Sequence, residues 1–102
     1  VFLENMVFVE LKRRGLDVFY YSDKKECDFI VRQGVNITDA YQVTWSMSDD
    51  KTREREFAGL REAMRAYSLS KGQIITFEGK ETISFEDGAV VEVIPAWEWL
   101  LQ

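Results

Sequence analysis

Three apolar, β-branched runs at residues 18–21, 28–32 and 40–45 are joined by connections too short for the chain to cross over a sheet. Parallel neighbours need a crossover of a dozen or more residues, so these runs are predicted to lie side by side as antiparallel hairpins. The charged stretch 22–25 supplies the first turn, and Gln33, Gly34 and Asn36 supply the second. Residues 2–14 lack strand alternation, hold no Gly or Pro and stop at Gly15, with Lys12, Arg13 and Arg14 in the last turn. That pattern predicts a helix, its cations placed at the negative end of the helix dipole. Apolar positions surround most of it, so it is expected to be largely buried.

Ser46 followed by Asp49 resembles an acidic capping box and predicts a second helix over residues 49–67. Phe57, Leu60, Met64 and Tyr67 form its apolar stripe, and Arg53, Glu54, Arg55, Glu56, Arg61, Glu62 and Arg65 read as a solvated face. Residues 73–77, 82–85 and 90–94 read as three further strands turned at Gly79 and Gly88, and Pro95 is expected at the first position of a short final helix. Tyr20, Tyr21, Trp45, Trp97 and Trp99 are expected to pack as core. The order is αβββαβ with an added C-terminal β-hairpin and a short terminal helix, an α/β fold with a mixed sheet. At 102 residues the chain is read as a single domain spanning 1–102.

A lone cysteine, Cys27, set in an apolar run, fits a buried small residue and a reducing, cytoplasmic setting. No apolar stretch reaches the roughly 18 residues of a membrane helix, and the basic cluster follows the first apolar segment instead of preceding it, unlike a signal peptide. The chain opens at Val1 already inside a helix, so it is expected to be a C-terminal fragment of a longer protein. A net charge of −5 argues against a nucleic-acid binder held by charge, although the acidity is concentrated in residues 73–102, with one basic and six acidic groups. Histidine is absent, as are phosphate-loop, dinucleotide and zinc patterns.

Four residues could carry chemistry. Asp28 opens the second strand, Gln42 and Thr44 alternate on the third and are expected on one face, and Glu4 lies on the helix face expected to pack on the sheet. An acid from a helix grouped with an acid and polar residues from strands is how magnesium gathers hard oxygen ligands. The simpler alternatives stay open: Glu4 pairing with a cation or capping a backbone donor, and Asp28 bonding its own turn.

These residues and their order resemble the PD-(D/E)XK nuclease superfamily, in which an Asp begins the second core strand and a Glu-x-Lys triplet lies on the third. The corresponding stretches are Glu26-Cys27-Asp28-Phe29-Ile30-Val31 and Tyr41-Gln42-Val43-Thr44, and Glu4 is similar to the early-helix Glu of archaeal Holliday-junction resolvases. A closer resemblance spans nearly the whole chain. Leu3-Glu4-Asn5-Met6-Val7, the run from Glu10 to Gly15, Tyr20-Tyr21, Glu26 to Val31 and the ending from Pro95 to Leu101 are similar to a C-terminal domain of unknown function (DUF4143-like) found behind the P-loop module of prokaryotic AAA-type ATPases.

The resemblance implies a restriction-endonuclease-like core with Glu4, Asp28, Gln42 and Thr44 at the catalytic positions, the first three as metal ligands. Gln42 replaces the metal-binding Glu, and Thr44 replaces the Lys that activates water and steadies phosphate charge. Lys51 or Arg53 could substitute only from a different backbone position. The expectation is therefore a catalytically degenerate accessory domain with no cofactor beyond weak Mg2+, ATP belonging to the upstream module. Its partners would be that ATPase module, another protein or a second copy, with nucleic acid not favoured and no membrane. The alternative is a working magnesium-dependent nuclease on Glu4, Asp28 and Gln42.

Overall fold

The computed structural model describes residues 2–102. The elements are α1 (Phe2–Arg13), β1 (Asp17–Ser22), β2 (Glu26–Gln33), β3 (Asn36–Val43), α2 (Asp50–Ala66), β4 (Lys71–Thr76), β5 (Glu81–Ser84), β6 (Val90–Pro95) and α3 (Ala96–Leu100). They follow the expected αβββαβ order with its added hairpin and terminal helix. One six-stranded sheet runs β1-β2-β3-β4-β6-β5. The meander is antiparallel throughout, as its short turns require. The α2 crossover makes β4 parallel to β3, β6 is parallel to β4, and β5 folds back antiparallel on the edge.

The sheet is covered on both sides. Val7, Leu11, Val31, Ile75 and Trp99 belong to a core under α1 and α3. Ile30, Leu60, Met64, Ile74 and Val91 belong to a second under α2. α1 stops at Gly15, whose φ of 79° lies in the left-handed region and lets Leu16 N–H donate back to the Leu11 carbonyl.

Several details differ from the sequence reading. Asp49, not Ser46, caps α2, its carboxylate accepting from Thr52 N–H at 2.9 Å. Pro95 closes β6 and sits one residue before α3, because its extended backbone still follows the strand. α1 buries only Leu3, Val7 and Leu11, while Phe2, Phe8, Val9 and Glu4 are exposed. A helix lying on one sheet face can cover only a single stripe. On α2 the buried stripe is Glu56, Gly59, Leu60, Ala63 and Met64, with Phe57 and Tyr67 only partly buried. Arg61 is also buried, its guanidinium lying 4.1 Å from the Phe85 ring centre and donating to Asp87 at 2.6 Å. Of the five aromatics expected in the core, Trp99 is buried and Tyr21 partly so, whereas Tyr20, Trp45 and Trp97 are exposed. Among the described residues no helix is long and apolar enough to cross a membrane.

Candidate functional site

The four positions singled out from the sequence meet, in part, where β2 and β3 diverge. Phe29 and Tyr41 form the last paired step of that ladder, so the backbone groups beyond it must find other partners. Side chains provide them reciprocally. Gln42 Oε1 accepts from Asp28 N–H at 2.9 Å, and Gln42 Nε2 donates to the Glu26 carbonyl at 2.9 Å and to the Glu56 carbonyl at 3.2 Å. In return, Asp28 Oδ2 accepts from Val43 N–H at 2.8 Å. Gln42 is only 2% exposed, and its two N–H donors are both used within the protein.

α2 can lie this close because residue 59 is glycine. A Cβ there would stand 1.9 Å from the Glu26 carbonyl oxygen and 2.6 Å from Gln42 Nε2. Gly59→Ala is expected to lower stability by about 2 kcal/mol, since overpacking against backbone costs more than the helix propensity returned by alanine. Urea unfolding checks this, and a more stable variant would show that α2 tolerates a shift away from β2.

Burial pushes the Asp28 carboxyl above the usual range, and Glu4 and Glu26 add to the rise, while the Val43 N–H and Arg55 pull against it. Glu56 is raised too, by burial first and then by Asp28, with Arg55 Nε at 3.3 Å from its carboxylate opposing the shift. Glu56 thus belongs to the same acidic group, although the sequence reading placed it on the solvated face. The signal was available three residues later, since a glycine inside a helix marks close backbone approach and Glu56 lies on the same stripe as Gly59 and Leu60.

Thr44 and Glu4 take no part in these hydrogen bonds, although the Glu4 charge is felt by Asp28 and Glu56. β3 ends at Val43, but Thr44 N–H still donates to the Ile75 carbonyl of β4 at 3.0 Å, and Thr44 borders an open hollow of about 380 Å³ with Phe2, Leu3, Glu4 and Trp45. Of the two candidate replacement cations, Arg53 is bound to Glu81 on β5 at 2.8 and 3.0 Å, and Lys51 is exposed at the start of α2. Cys27 is fully buried, donates to the Tyr41 carbonyl at 3.3 Å and has its thiol pushed up to about 12 by burial. A thiol so disfavoured as thiolate is not a nucleophile at neutral pH.

The donor set fits magnesium poorly. Gln42 is committed to backbone, one Asp28 oxygen holds Val43 N–H, and among the described residues no three acids or cysteines converge as a metal cluster. What this arrangement does is fasten β2, β3 and α2 together.

The family described as a domain of unknown function (DUF4143) matches residues 2–99. An uncharacterised protein of the archaeon Methanocaldococcus jannaschii is 35% identical over 109 residues, covering 97% of this chain and 24% of that protein. The chain thus spans about a quarter of the length of this relative.

Proposed function

Because this chain belongs to the DUF4143 family of domains of unknown function, we propose for it the role its own side chains support best: a non-catalytic accessory domain in a longer protein. In this reading it is an interaction or regulatory unit of a prokaryotic AAA-type ATPase, cytoplasmic, with a nuclease-like scaffold whose catalytic positions have been turned to structural use. The observation that carries it is the Gln42 amide, whose hydrogen bonds to Glu26, Asp28 and Glu56 occupy it in the fold. Thr44 brings no cation to a phosphate, and ATP would belong to the remainder of the longer protein.

Glu56 favours a second reading, a magnesium-dependent nuclease. With Asp28 it could give a hard ion two carboxylates, from β2 and α2, and magnesium often takes only one or two. The two readings part on a direct test. Calorimetry with Mg2+ is expected to give weak or no binding, and single-stranded, duplex and branched DNA are expected to remain intact with Mg2+ or Mn2+. Cleavage that is lost in both Asp28→Asn and Glu56→Gln would establish the second reading instead.

A further inference from the structure

One face of the described residues carries apolar surface that these residues themselves do not cover. Phe2 is 76% exposed, Val9 64%, Trp97 62%, Trp45 58% and Phe77 48%. They are not scattered. Phe2, Met6, Trp45, Phe77, Trp97 and Leu100 border one groove of about 430 Å³, in whose lining only Glu78 is charged. A neighbouring hollow extends the same surface to Val9 through Phe2, Met6 and Leu100. Trp45 and Phe77 are stacked, their ring centres 4.2 Å apart at 11°, and Phe77 N–H donates to the Trp45 carbonyl at 3.1 Å. The stacking restrains both side chains and the backbone bond holds their main chains side by side, so the pair can enter an interface with less loss of rotamer freedom than two free rings.

We infer that this face pairs two copies of the chain about a two-fold axis, Trp97 and the Trp45–Phe77 stack of each copy filling the groove between α1 and α3 of the other. The inference deepens the accessory-domain reading, on which it rests, by naming the partner. Two-fold pairing requires one patch to be complementary to itself. Here protruding aromatics and a receiving groove occur on the same face, whereas docking of an unrelated segment would need only the groove. The area is also sufficient. These side chains present on the order of 700 Å², near the roughly 800 Å² per partner of a standard interface and above what a monomer commonly leaves bare. Each copy is acidic, with a net charge of −5, but the only charged residue in the groove is Glu78, and in the hollow beside it Glu10, which is paired with Arg13 and Arg14. Apolar burial therefore drives association, and salt relieves the repulsion between copies.

The chain has its own core on both sheet faces and is tested as it stands. Sedimentation equilibrium is expected to show a concentration-dependent dimer that holds or tightens as NaCl is raised. Phe2→Glu and Trp97→Glu, at exposed positions, are expected to weaken it at least about 30-fold with unchanged far-UV circular dichroism. Val35→Glu, in the β2–β3 turn outside this face, is expected to leave it intact. Independently of any variant, dilution of the native protein should shift tryptophan emission to the red as Trp45 and Trp97 return to water. A monomer at every concentration up to about 100 μM, a dimer indifferent to both glutamate variants, or one that dissociates with salt would overturn the inference. A monomer that cleaves no DNA would overturn the dimer alone, and a dimer that cleaves DNA would overturn the accessory reading alone.

Discussion

Gln42→Glu is expected to destabilise the protein by roughly 3–5 kcal/mol at pH 7, although the change replaces one atom by another of similar size. The carboxylate can still accept from Asp28 N–H, but it cannot donate to the Glu26 and Glu56 carbonyls, which would then face a buried negative charge. It would also join Asp28 and Glu56, whose carboxyls are already raised by burial, that of Glu56 also by Asp28. Its pKa must therefore be higher folded than unfolded. The ionisation penalty of such an acid is full above its folded pKa and absent below its unfolded value of about 4.3, so the deficit should shrink as the solution is acidified through that window. Once protonated, residue 42 can again donate one hydrogen bond. Urea unfolding of both proteins from pH 7 down to pH 4 measures this directly, and a loss under about 1 kcal/mol at pH 7 would show that the amide donors are dispensable. The same cost bears on any attempt to rebuild nuclease chemistry with Gln42→Glu and Thr44→Lys, because the first change opens the seam it is meant to arm.

Leu60→Ala is expected to cost about 4 kcal/mol, a large share of the roughly 5–15 kcal/mol available to a small domain. Leu60 is fully buried at the centre of the core beneath α2. Its two methyls press on β4 so closely that a Cβ on Gly72 would lie 3.0 and 3.1 Å from them. The opposing surface is strand backbone, held by β3 and β6 on either side, so it cannot collapse into the space left. Most of the cavity should persist, which places the cost well inside the 2–5 kcal/mol range for such deletions. A thermal or urea midpoint close to that of the native protein would mean that α2 settles onto the sheet without this side chain.

The hairpin meander and the α2 stripe through Leu60 and Met64 were legible because turn length and apolar spacing act locally. The site was legible only as positions. Asp28 and Gln42 do meet, but the sequence could not show that the β2–β3 ladder ends at Phe29 and Tyr41 and leaves backbone groups for these side chains to satisfy. Glu56 and Arg61 were misread because mixed charge ordinarily marks a wet helix face, and here β2 and the loop around Asp87 close over it. Trp45 and Trp97 were misread for the opposite reason. Aromatic residues usually fill the core, and the space beneath α1 and α3 is already taken by Trp99, Tyr41 and Phe29.

Cys27 turns the domain into its own clock. It is the single thiol of the chain, lies at zero exposure in the core beneath α2, and is held by burial in its unreactive protonated form. A thiol reagent can reach it only when the core between α2 and the sheet opens, so the labelling rate counts those openings. Because this chain supplies its own reporter, the frequency with which its core opens can be followed in it without adding a probe.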